Sequence, residues 1–160
     1  MHGMKLEELR TLQDLLRRQR LLSLAVVVSG EPVAGLLPFL AAPDLSALVV
    51  HASALARHTA GLGEARSWAA TVAQPDIPER DALQTPRVLL EGHSRAIQDP
   101  AVLAALRRAW VEHYPSASAT LELPDFTFFS LDIERGRLIT GFARALNLTS
   151  EHLREAAAAG

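Results

Sequence analysis

The sequence predicts a mostly β protein, an antiparallel sheet or barrel with helices packed outside it. Apolar runs of strand length follow one another through short turn-type links. Clear helical periodicity is confined to separate stretches, and no repeated strand–helix–strand unit occurs. The order read from the chain is helix, three strands, short helix, strand, loop, strand, helix, two strands.

Residues 4–20 place Leu6, Leu9, Leu12, Leu15 and Leu16 at helical spacing. Glu7 and Glu8 stand early and Arg17, Arg18 and Arg20 late, which complements a helix dipole. "LLSLAVVVSGEPVAGLLPFLAAPDLSALVVH" then reads as three strands parted by the turn clusters "SGEP" and "APDLS". The first two runs form a hairpin. Pro38 within the second marks an edge, a bulge or a strand end.

"ASALARHTAGLGEA" reads as a short helix with Ser53 as N-cap and Gly61 or Gly63 as its end. "RSWAATVAQP" resumes as a strand, "DIPERDALQTP" is a loop, and "RVLLEGHSRAI" is a long strand with Gly92 at a bend or bulge. "DPAVLAALRRAWVEHYP" carries the best helix signals. Asp99 caps it, Pro100 takes its first position, and Val102, Leu103, Leu106, Ala109 and Trp110 form its apolar stripe. "DFTFFSLDIERGRLITGF" reads as two strands around a turn at "DIERG", and the tail from Leu146 as a weak helix or frayed end. The expected organisation is a helix over residues 1–21, a barrel domain over 22–146 and a tail over 147–160.

Composition narrows the function classes. A chain of 160 residues buries enough surface to fold without staples. It has no cysteine, which excludes disulfides, thiolate metal sites and thiol catalysis. A net charge of −2 gives no general attraction to nucleic acid or anionic lipid. No apolar run approaches the length of a membrane span, and the charged beginning lacks a secretory apolar core, so a cytoplasmic location is expected. There is no dinucleotide fingerprint, phosphate loop, nucleophile elbow or close pair of metal ligands. No metal is expected.

Residues 51–62 remain. A strand ends at His51, and Ser53, Arg57, His58 and Thr59 follow. Hydroxyls, a guanidinium and backbone N–H groups at a helix start suit a phosphate. The same residues also suit an ordinary capped helix, and local sequence leaves both readings open.

"LLRRQRLLSLAVVVSGEPVAGLLPF", "ALVVHASALARHTAGL", "PRVLLEGHSRAI" and "ELPDFTFFSLDIERGRLITGFARA" follow one another in this order over roughly residues 10–146. In these stretches the chain resembles the pyridoxamine 5′-phosphate oxidase-like group, the FMN-binding split β-barrels, near the heme-utilisation (HugZ-type) branch. The resemblance implies a six-stranded antiparallel split barrel, a homodimer, and FMN at the dimer interface. It implies a phosphate site at Ser53, Arg57, His58 and Thr59, with Arg66 or Arg87 as supplementary cations. It places the flavin ring along Gly35–Phe39, hence against Leu36, Leu37 and Pro38, and brings Gly141, Phe142 and Arg144 toward the cofactor or the partner's site. The activity implied is that of an FMN-dependent oxidoreductase acting on a small redox substrate. The substrate residues of a true pyridoxamine phosphate oxidase are absent, so that activity is not expected. Two alternatives stand beside it. One is heme binding or breakdown through His51, His58, His93 or His113. The other is a cofactor-free dimeric binding module, favoured by a second strand, "PVAGLLPF", with no Arg or Lys.

Overall fold

A computed structural model describes residues 3–141 and 143–160. The N-terminal helix α1 (Leu6–Arg18) buries Leu12, Leu15 and Leu16 and leaves Leu6 in solvent. β1 (Leu21–Val28) and β2 (Glu31–Ala41) form the expected hairpin. Its two linking residues, Ser29 and Gly30, both have positive φ (52° and 78°), which matches the twist of the flanking strands. Pro38 lies where β2 changes partners. Residues up to Pro38 pair with β1, and Phe39–Ala41 pair with β3 (Ala47–Ser53). A residue without an N–H is tolerated at that changeover because the ladder is interrupted there.

Beyond β3 come a short 3-10 turn (Arg57–Gly61), β4 (Arg66–Ala73), β5 (Arg87–Ala96) and α2 (Pro100–His113). A one-turn α3 (Ser118–Leu121) leads to β6 (Phe126–Gly141), β7 (Arg144–Leu148) and α4 (Ser150–Ala158). The sheet order is β3-β2-β1-β4-β5-β6-β7, and β3 also pairs with β6. That extra pairing closes six antiparallel strands into a barrel and leaves β7 on the outside of β6. Leu22, Leu24, Val50, Val72, Leu90 and Leu131 are among the residues filling it, with α1 and α4 packed against the same core. A second cluster, with Trp110, Tyr114 and Phe128, lies under α2 on the outer face of β3 and β6.

Four local expectations are corrected. "DIERG" is not a turn: β6 runs through it as one strand of 16 residues. The irregularity is a register shift at Glu91/Gly92 opposite it, where a Cβ on Gly92 would lie 1.8 Å from the Asp132 carbonyl oxygen. The short helix after β3 is a 3-10 turn whose N-cap is Ala56, not Ser53. The tail is an ordered helix capped by Thr149, with Leu153 and Ala156 buried. On α2, Asp99 caps as expected, accepting from the N–H groups of Ala101 and Val102, but Val102 faces solvent and only Trp110 is fully buried.

Candidate functional site

Antiparallel pairing of β3 with β6 sets Ser53 opposite Phe126 and His51 opposite Phe128. Residues two apart on a strand share a face, so these four side chains stand together on the outside of the barrel. α2 lies over that face and adds Trp110. The result is a cavity of about 300 Å³ lined by Leu37, Pro38, His51, Ser53, Ala56, His58, Trp110, Ala117, Thr120 and Phe126.

His51 is the most distinctive group there. Its ring stacks on Phe128 at 4.2 Å between centroids, lies 4.9 Å from Phe126 and meets Trp110 edge-on at 5.9 Å. It is 6 % exposed and makes no hydrogen bond among the described residues. Burial, with a smaller push from the Arg107 guanidinium, lowers its pKa to about 4. His51 is therefore a neutral imidazole at pH 7.

Ser53 is fully engaged. Its hydroxyl donates to Asp125 Oδ2 at 2.5 Å and accepts from the Leu55 N–H at 3.1 Å. The Ala54 N–H donates to the Asp125 carbonyl at 2.7 Å, so backbone and side chain both fix this corner. His58 lies against β2, where the missing side chain of Gly35 makes room: a Cβ there would come within 2.7 Å of His58 Nδ1. Burial lowers the His58 pKa. His58 Nε2 and Thr59 Oγ1 are buried without hydrogen-bond partners. Each such atom costs about 1–3 kcal/mol unless water or a ligand satisfies it. Arg57 is exposed and makes no hydrogen bond or ion pair among the described residues.

Of the residues predicted from sequence, Leu37, Pro38, Ser53 and His58 line the cavity, and Arg57 and Thr59 adjoin it on the 3-10 turn. Leu36 points outward from the sheet at 65 % exposure. Arg66 and Arg87 occupy opposite ends of the β4–β5 ladder, about 23 Å apart at ~3.3 Å per residue. Arg87 donates to the carbonyls of Leu83 and Thr85, both at 3.0 Å. Arg144 is paired with the buried Glu8 carboxylate. Gly141 ends β6, and Phe142 lies outside the described residues. Among the histidines considered, His93 pairs with Glu134 at 2.5 Å on the outer sheet, and His113 sits edge-on to Tyr114. Sequence reading assigned Trp110 to a helix stripe and gave no site role to Phe126, Thr120 or Asp125. The two-residue period shared by His51 and Ser53 was the available signal for the first two, since it requires a cover over that face.

No group of three or more His, Asp or Glu residues able to hold a metal ion occurs among the described residues. No helix among them is long and apolar enough to cross a membrane.

No family model and no curated protein matches the sequence. Several solved structures match the fold. A heme-binding protein from Mycobacterium smegmatis aligns with a TM-score of 0.76 and 23% identity over 97% of this chain and 62% of its own. HutZ, a heme storage protein from Vibrio cholerae, aligns with a TM-score of 0.69 and 19% identity over 82% of this chain and 92% of its own. An FAD- and heme-binding protein from Mycobacterium smegmatis aligns at 0.63 and 23% identity over 93% of this chain and 76% of its own. The chain thus spans less than two thirds of the first of these. Closed six-stranded ring, appended seventh strand and flanking helices together give the chain the split-barrel fold of these heme- and FAD-binding proteins, the fold of the pyridoxamine 5′-phosphate oxidase-like group.

Proposed function

We propose that this chain binds a planar heterocyclic cofactor in the cavity beneath α2, and that heme is the cofactor its residues suit best. The observation that carries this is His51: a neutral imidazole whose ring has no hydrogen-bond partner among the described residues, lining an aromatic cavity. A neutral histidine nitrogen is an iron ligand. Trp110, Phe126, Leu37 and Pro38 supply apolar walls for a flat ring and keep water from it. The three structural neighbours support this reading, since each is a heme protein and one of them binds FAD as well.

A flavin is the second reading, and Arg57 favours it. This exposed cation, unpaired among the described residues, stands one residue before His58 at the cavity edge, where the phosphate of FMN would find a partner. In either case the chain's residues bind, orient and shield. Bound heme supplies iron redox chemistry and bound flavin supplies hydride and electron transfer, which would make the chain an oxidoreductase toward a small substrate.

The partner proposed is a second copy of the chain. Across β2, β1, β4 and β5 the register sets Leu36, Ser23, Thr71 and Leu89 in one outward row and Ala34, Ala25, Ala69 and Glu91 in the next. Such a flat face with one charge at its edge suits a two-fold contact.

The test is a titration of purified protein with hemin and with FMN, read by absorbance, on wild type and on His51→Ala. Heme binding predicts a Soret shift in wild type that is lost or moved in the variant. A shift identical in both proteins overturns His51 as ligand, and no response to either cofactor overturns the cofactor reading.

A further inference from the structure

One wall of the cavity is a strap of chain that runs from Tyr114 to Asp125. Both of its ends are fixed. The Tyr114 hydroxyl is bonded to Phe39 on β2, and Asp125 holds the Ser53 hydroxyl and the Ala54 N–H. Its middle has little to hold it. α3 is a single turn that buries only Leu121, and so short a helix does not sustain itself. Ala117 and Thr120 line the cavity of about 300 Å³. Ser118, Leu121 and Glu122 line a second hollow, an open cleft of about 550 Å³ between α3 and α2. The strap stands between the two.

Arg107 of α2 bridges that cleft. Its Nη2 donates to the Leu121 carbonyl at 2.8 Å and to Glu122 Oε1 at 3.0 Å. The first bond is partly buried and satisfies a carbonyl at the end of α3. The pair with Glu122 is exposed and adds little. Arg107 stands three residues before Trp110, so it neighbours on the helix surface the ring that meets His51. Its charge is close enough to His51 to oppose a proton there.

We infer that Arg107 is a positioning residue that holds this strap closed over the cavity, and that its release lets residues 115–123 retreat into the cleft and widen the site for a larger flat ligand. This rests on the cavity being a cofactor site, and it supplies what the heme reading needs. A volume of about 300 Å³ stands at the lower end of the roughly 300–1,000 Å³ of sites that enclose a small ligand, and a porphyrin is a broad disc.

Two measurements test it, the first without ligand. Hydrogen exchange, read by mass spectrometry on the purified protein before any cofactor is added, compares residues 115–123 with the barrel strands. Arg107→Gln is expected to speed exchange in the strap about tenfold and to leave the strands unchanged, the scale of one hydrogen bond to a charged group acting on a local opening. Stopped-flow mixing with hemin should then show association faster by about the same factor, because the ligand meets the open form. Arg107→Lys keeps the charge, is expected to fall between wild type and Arg107→Gln, and serves if the Gln variant fails to fold. Glu122→Gln keeps the Leu121 bond and should change either rate by less than about twofold. Strap exchange unmoved in the Arg107 variants overturns the inference, and so does exchange that rises equally in the strands. A hemin association rate that stays the same while the strap exchanges faster overturns it as well. Wild type that takes up no hemin ends the heme reading, and the exchange comparison alone then decides whether Arg107 is the latch.

Discussion

His51 resists protonation where it sits, and that has a consequence for stability. Its pKa is about 4 in the fold against an ordinary 6.5 in the unfolded chain. The unfolded state therefore binds the proton more readily. The stabilising contribution is fully present above pH 6.5 and is lost as pH falls toward 4, with a slope near 1.4 kcal/mol per unit and a total of about 3 kcal/mol. His58, lowered by burial as well, acts in the same direction. Urea unfolding at pH 7, 5.5 and 4.5 should show the decline, and His51→Leu should flatten it; an unchanged slope in that variant would exclude His51 as its source. The neighbouring glycine makes a second prediction. Gly35→Ala drives a methyl to 2.7 Å from His58 Nδ1 and 2.9 Å from Cγ, so the ring must move. A cost of about 1–3 kcal/mol is expected, as for other overpacked sites. The double variant Gly35→Ala/His58→Ala should recover most of that loss, and additive losses would show that the ring is not the obstacle.

The helix α2 makes the cavity by covering it, and one tyrosine holds the helix in place. Tyr114 donates to the Phe39 carbonyl at 2.5 Å, lies 2.9 Å from the Arg20 carbonyl and accepts from the Phe39 N–H at 3.2 Å. Its ring also carries the Arg20 guanidinium at 5.0 Å. Trp110, one turn earlier, is thereby fixed against His51. Tyr114→Phe should cost about 1–2 kcal/mol through loss of the hydrogen bond to the Phe39 carbonyl. The measurement that separates anchoring from mere stability is Trp110 fluorescence in the folded protein, expected to shift because the cavity wall loosens; an unmoved spectrum would reject the anchoring role. At this scale the sequence was legible wherever a local rule governed. The capping of α2 by Asp99 and Pro100 and the Ser29–Gly30 hairpin are of that kind. β6 was misread because Glu134, Arg135 and Gly136 look like turn residues. What makes them strand is the paired β5 strand, with its bulge at Gly92. Likewise the meeting of Ser53 with Asp125, 72 residues apart, is a product of closure and has no local signal.

Closure of the barrel removes most sheet edges, but it leaves one broad face of β2, β1, β4 and β5 without cover. The strand-to-strand order could be read in outline from turns and apolar runs, and the outward row of each strand from its two-residue period. Which rows would be covered could not, because α1, α2 and α4 each choose their face through distant contacts. α1 and α4 pack against the barrel core, and α2 shields β3 and β6. The uncovered face is apolar at Leu21, Val27, Leu36 and Leu89, exposed by 50%, 54%, 65% and 40%. Leaving such a patch in water is unfavourable by ~25 cal/mol for each Å² that a partner could bury. A second copy offers the same flat, small-residue surface, so a two-fold contact meets no shape conflict. Light scattering should therefore give twice the 17.3 kDa of one chain. Leu36→Glu, which sets a carboxylate in the middle row of that face, should return the mass to that of one chain while circular dichroism stays unchanged, because the side chain makes no core contact. A wild-type protein that already runs as a single chain at micromolar concentration would refute the pairing, and a variant that still pairs would move the interface elsewhere on the molecule.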